Sequence, residues 1–146
     1  MNMNGYRCIA CSLTQDADFG GFLCPVCGGN LDISYDYGAV ANTIDESFLT
    51  DPCDLFGFAP LLPLKQPRPW FPLRVGGTPL YPAHRLGELC GIHDLYLKDD
   101  SMNPSASLKD RASAVAVGRA LDIGADVVSV ASTGNAGSSL ACLAAA

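Results

Sequence analysis

Four of the seven cysteines stand in two close pairs. Cys8-Ile9-Ala10-Cys11 is followed, twelve residues on, by Cys24-Pro25-Val26-Cys27 and then Gly28-Gly29. Each C-x-x-C turn bends two thiolates around one cation, and two turns complete a sulfur tetrahedron that suits Zn²⁺ and leaves no position open for water. The chemistry this predicts is structural, because folding and metal binding are one event worth roughly 10–16 kcal/mol in small zinc modules. Two disulfides or an iron site are the alternatives for the same thiols. Cys53, Cys90 and Cys142 are scattered, and an odd total without a secretory signal argues against a disulfide scaffold.

A second chemistry-bearing stretch runs from Asp99 to Arg111 and carries Asn103-Pro104-Ser105-Ala106-Ser107-Leu108-Lys109-Asp110-Arg111. It reads as a turn from a strand into a helix, on the sheet edge where open α/β folds bind ligands. Lys109 falls in the first helical turn, where the dipole opposes a cation and the local field favours the neutral amine. A neutral amine is what carbonyl chemistry and Schiff-base formation need. The plainer reading is a solvated lysine beside Asp110; Lys65 and Lys98 have no comparable setting. A third stretch, Ser132-Thr133-Gly134-Asn135-Ala136-Gly137-Ser138-Ser139, follows an apolar run. Its small residues leave successive amides open at a helix N-terminus, with hydroxyls as further donors, which makes a place for a carboxylate or phosphate. The same turn could instead simply cap its helix.

The elements that must position these residues fall into three parts. Residues 1–37 form a small β-rich metal module, in which Leu31 to Tyr37 alternates apolar and polar side chains as a half-buried strand does. Residues 38–75 are a proline-rich connecting arm, where Pro52, Pro60, Pro63, Pro67, Pro69 and Pro72 exclude long helices. Phe48, Leu49, Phe56, Leu64, Trp70 and Phe71 are too apolar for a free tether, so the arm is expected to lie against a larger body. From residue 76 the pattern becomes βαβα: a helix over Ala83–Cys90 stopped by Gly91, a strand at Leu95–Leu97 and a helix over Leu108–Ile123 stopped by Gly124. A buried strand at Val127–Ala131 and a helix from Asn135 follow. This is the grammar of a parallel sheet covered by helices. Because two buried strands do not complete such a sheet and the final helix has no terminator, the chain is expected to be the N-terminal part of a longer protein.

Composition narrows the class. At 146 residues, 49% apolar and 16% charged, the chain is expected to fold as a soluble, cytoplasmic protein with no spanning segment. Residues 1–64 hold one base against eight acids and residues 65–146 eight against seven, a balance that argues against a nucleic-acid partner. A membrane partner is not expected either.

Taken together, the motifs resemble a known family. The stretch around Lys109 resembles the cofactor-lysine motif of fold type II pyridoxal-phosphate enzymes, Ser132 to Gly137 resembles their asparagine loop, and Gly76-Gly77-Thr78-Pro79-Leu80 the motif that precedes both. With a four-cysteine ribbon ahead of it, the whole is similar to the threonine synthase family. The resemblance implies an α/β fold: a zinc ribbon followed by the first part of a tryptophan synthase beta-like parallel-sheet domain. It implies a pyridoxal 5'-phosphate lyase converting O-phosphohomoserine and water to threonine and phosphate. Lys109 would hold the cofactor covalently and then move protons, Asn135 would hydrogen-bond the ring's phenolic oxygen, and Ser132, Thr133 and Gly134 with the following amides would bind the substrate carboxylate. Cys8, Cys11, Cys24 and Cys27 would hold structural Zn²⁺, and a homodimer is the family expectation at full length. Ser105-Ala106-Ser107-Leu108 departs from the commoner Thr-Gly-Ser-Phe, which leaves an amino-acid deaminase, an ammonia-lyase or a cysteate-forming synthase as alternatives. A ribbon-based protein-interaction module without catalysis is the alternative of a different class.

Overall fold

A computed structural model describes residues 2–44, 54–65 and 72–146. The chain opens with a three-stranded antiparallel sheet of β1 (Met3–Cys8), β2 (Thr14–Gln15) and β3 (Leu31–Tyr35), with β1 in the middle. Tyr6 stands opposite Gln15 on one side and Ile33 on the other, so the register of β1 fixes where Cys8 ends the strand. The β1–β3 ladder shifts between Met3 and Gly5. Gly5 sits at φ 140, and a Cβ there would meet the Gln15 carbonyl oxygen at 2.1 Å, so only glycine lets β2 lie this close. The alternation at Leu31 to Tyr37 gives the expected strand as far as Tyr35. At Tyr37 the chain enters a short helix, α1 (Tyr37–Ala41), capped by the Asp36 carboxylate, which accepts from the Ala39 amide.

Phe48, Leu49, Trp70 and Phe71 lie outside the described residues. The described part of the arm forms a 3-10 turn at Leu55–Leu61 and does lie against a body. Phe56, Leu64 and Val75 are buried in one cluster with Ala114, Val117 and Leu143. These last three belong to α3 (Lys109–Asp122) and α4 (Asn135–Ala145). The two helices thus bury their apolar stripes against the arm.

Between arm and helices, β4 (Leu80–Pro82) and β5 (Tyr96–Lys98) pair antiparallel, joined through α2 (His84–Cys90). Gly91 ends α2 at φ 67 and Gly124 follows α3 at φ 71, the left-handed stops that the sequence predicts. Leu86 and Leu89 of α2 are both open to solvent, Leu89 at 85% exposure.

The expected parallel sheet is absent among the described residues, where every strand pairing is antiparallel. Val127 to Ala131, read as a buried strand, is not one: no described segment lies beside it to exchange backbone hydrogen bonds, and Val127 and Val130 remain 80% and 47% exposed. An apolar run becomes a strand only when a neighbour completes its ladder. Among the described residues no helix is long and apolar enough to cross a membrane.

Candidate active site and metal centre

The first centre is built by two knuckles. Ser12 N–H donates to the Cys8 carbonyl at 2.9 Å and Gly28 N–H to the Cys24 carbonyl at 2.9 Å, with Ser12 and Gly28 both in the left-handed region at φ 62 and 69. These turns bring all four sulfurs within 4.8 Å of one another, with Cys8–Cys27 at 3.5 Å and Cys11–Cys24 at 3.6 Å. Four sulfurs about 2.3 Å from one Zn²⁺ in a tetrahedron stand about 3.8 Å apart, so the thiols are already spaced for such an ion. No disulfide joins them. Gly29 lines the floor: a Cβ there would meet Ala10 Cβ at 2.9 Å, Cys8 Sγ at 3.1 Å and Cys27 Sγ at 3.2 Å.

Backbone amides prepare the set for a cation. The Cys11 amide, donating to sulfur, holds the Cys8 thiol down to about 6. The Cys27 and Val26 amides lower Cys24. Cys27 is pushed up to about 12, the pull of its Gly29 amide being outweighed by the Cys11 and Cys8 sulfurs crowding it. Crowded sulfurs of this kind shed their remaining protons when a metal is bound.

The second centre lies where α3 and α4 begin. Lys109 is the first residue of α3 and is exposed; Asn135 is the first residue of α4 and is exposed, with Ser132, Thr133 and Gly134 in the turn before it. Ser139 Oγ donates to Ser113 Oγ at 2.8 Å in the buried seam between the helices. Val117 and Leu143, four residues further along each helix, share the core beyond it. Both pairs are 26 residues apart in sequence, an offset that fits helices running the same way. One turn back along the same rows, Lys109 and Asn135 stand at the same end of the pair. In the Ser132 turn, Gly134 N–H donates to Ser132 Oγ at 3.2 Å, and a Cβ on Gly137 would come 3.3 Å from the Ser132 carbonyl oxygen.

Lys109 is open to solvent, as the plainer reading of a solvated lysine has it, while its neighbour Asp110 is not. Asp110 is wholly buried and turns back into the loop, accepting from the Ser105 amide at 2.7 Å and from the Ser105 hydroxyl. Sequence reasoning missed the rest of this loop's wiring. Arg111 grips Asp100 with both nitrogens, at 2.7 and 2.8 Å, and its Nη2 also reaches Thr78 Oγ1 at 3.3 Å. Thr78 Oγ1 donates to Asp100 at 2.8 Å, and Lys98 Nζ donates to the Thr78 carbonyl. The guanidinium holds the Asp100 carboxyl down to about 2. Asn103 accepts from the Gly76 amide at 2.9 Å and donates to the Asp100 carbonyl at 3.1 Å. Gly76, at φ 77, passes so close to Leu55 that a Cβ would meet its amide nitrogen at 3.1 Å. Asp110 and Arg111, directly after Lys109, and the two glycines before Thr78 mark the segments involved, but nothing in them announces the pairing.

Residues 72–146 match the family model described as pyridoxal-phosphate dependent enzyme. The chain belongs to this family. It is 40% identical to the threonine synthase of Methanosarcina acetivorans over 136 residues, covering 92% of this chain and 33% of that protein. The threonine synthase of Methanocaldococcus jannaschii matches with the same identity and coverage. That of a Bacillus species is 38% identical over 88 residues, 60% of this chain and 25% of that one. The chain thus spans about a third of the length of the first two relatives. No solved structure matches it. Membership in the pyridoxal-phosphate enzymes implies the cofactor, and the paired helix starts with a lysine at one and an asparagine-led amide turn at the other suit it: an amine for its aldehyde and donors for its oxygens.

Proposed function

We propose that the chain serves a threonine synthase-like lyase, which converts O-phosphohomoserine and water to threonine and phosphate. What carries this reading is that the chain is 40% identical to two threonine synthases over 92% of its length; Lys109 and Asn135, each the first residue of one of two helices joined by the Ser113–Ser139 bond, support it. When bound, pyridoxal phosphate supplies an electron sink for carbanions formed on the substrate.

The chain's own residues do the rest. Lys109 Nζ would hold the cofactor through its aldehyde and would serve as the group that moves protons at the substrate. The Asn135 side chain would hydrogen-bond the ring's phenolic oxygen. The amides and hydroxyls of Ser132, Thr133 and Gly134 hold the substrate carboxylate at the start of α4, where the helix dipole adds to their pull. Cys8, Cys11, Cys24 and Cys27 would hold Zn²⁺ as a closed structural site with no part in this chemistry.

The test is an assay of the full-length protein with O-phosphohomoserine and pyridoxal phosphate, following phosphate and ammonia separately. Phosphate release without ammonia is expected, and Lys109→Ala lowers kcat by about 10²- to 10⁴-fold or more. Ammonia release with another amino acid instead would replace the substrate assignment and leave the lysine in place.

A further inference from the structure

Lys109 is exposed at the first position of α3; Leu108 before it supplies no capping side chain, and the Lys109 amide donates to the Ser107 hydroxyl at 3.2 Å. Its position is therefore set by the chain on either side of it. The loop before it includes Ala106 at φ 57, in the left-handed region that non-glycine residues avoid, so it does not hold this shape unaided. The two residues after Lys109 reach back to hold it. Asp110, at 0% exposure, takes both the amide and the hydroxyl of Ser105 and closes the bend that carries the lysine. Arg111 reaches to the loop's beginning and grips Asp100 with a two-pronged pair that Thr78 closes from the side. A buried carboxylate is costly without compensation, and a cap that served only the helix would not require a fully buried position.

We propose that Asp110 and Arg111 are positioning residues for Lys109, each fastening one end of the loop that presents the amine. This rests on the reading of Lys109 as the cofactor lysine. The first contact is local, five residues back; the second spans eleven and ties the loop to the Gly76-Gly77-Thr78 segment. Together they leave the lysine stem free while fixing the point from which it swings, as a group that must first bind an aldehyde and then move protons requires.

The test uses the full chain as wild type, Lys109→Ala, Asp110→Asn, Arg111→Met and Ser105→Ala. Each is incubated with pyridoxal phosphate, reduced with borohydride at intervals and digested, and the label on Lys109 is measured against that on Lys65 and Lys98. Circular dichroism gives the folded fraction, and hydrogen exchange at the Ser105 amide is followed without cofactor. Wild type is expected to carry its label on Lys109. Asp110→Asn and Arg111→Met, corrected for folded fraction, are expected to label it at least about tenfold more slowly and to lose selectivity over Lys98. Ser105 amide exchange rises in Asp110→Asn. Should that variant fold poorly, Ser105→Ala, which removes only the hydroxyl, carries the same expectation in direction. Labelling at Lys109 that is unchanged in rate and selectivity, or that falls only with the folded fraction, overturns the positioning role and leaves the proposed function standing. A wild type with no preference for Lys109 overturns both.

Discussion

Gly29→Ala tests the metal centre with the smallest available change. The added methyl would come 3.1 Å from Cys8 Sγ and 3.2 Å from Cys27 Sγ, short by about two to three tenths of an ångström of the 3.4 Å at which ordinary contact begins. Ala10 Cβ, at 2.9 Å, blocks retreat on the third side. Metal–ligand distances tolerate only about ±0.2 Å, so two of four sulfurs are displaced by as much as the coordination sphere accepts. Loss of affinity should match that of damage to a supporting shell, about 10- to 100-fold. Gly28→Ala is the control: at φ 69 it costs about 1–2 kcal/mol of backbone strain, yet its methyl would meet nothing within 4 Å. Zinc affinity measured by competition with a chromophoric chelator should fall in Gly29→Ala much more than in Gly28→Ala. Equal affinity in wild type and Gly29→Ala, or a larger loss in Gly28→Ala, would refute the reasoning.

Two further outcomes concern the body of the chain. Leu143 is 1% exposed in the cluster that joins α4 to α3 and the arm, and Leu143→Ala should lower stability by about 2–5 kcal/mol in urea unfolding with little change in the ribbon. The Asp100 carboxyl is depressed to about 2 in the folded state by Arg111, so its stabilising effect is complete above its unfolded value near 4 and disappears as pH falls from there towards 2. The stability gap between wild type and Asp100→Asn, read at pH 6, should therefore close over that window; a gap unchanged at pH 2.5 would contradict the assignment.

What the sequence disclosed depended on how far apart the interacting residues lie. The knuckles were legible because each pair of sulfurs sits three residues apart and needs only a local turn. The helices at Lys109–Asp122 and His84–Cys90 were legible because their stops, Gly124 and Gly91, lie next to them. The strand at Met3–Cys8 was not, because Gly5 interrupts its alternation and its partners come from Thr14–Gln15 and Leu31–Tyr35. Nor was the fastening of the lysine loop. Thr78, Asp100 and Arg111 meet across separations of 11 to 33 residues, and nothing in their local pattern announces it. The Val127–Ala131 run misled for the same reason reversed: its composition suits a ladder, and composition supplies no partner.

The two centres meet through one helix, and its ends have different duties. At the far end from Lys109, Arg119 Nη2 donates to the Ala17 carbonyl at 3.0 Å and to the Tyr6 hydroxyl at 3.4 Å, and Tyr6 lies on the strand that ends in Cys8. Ten residues of helix, about 15 Å, separate that anchor from the lysine. None of the bonds that fasten the lysine loop comes from the ribbon; they are drawn from Gly76 to Thr78 and from Lys98 to Arg111. The four-cysteine module thus steadies the rear of the helix while a separate, shorter-range set of contacts holds the loop at its front. A four-thiol module at one end of a helix can support a loop at the other in this way without touching it, because what passes between the two is a helix axis and not a charge.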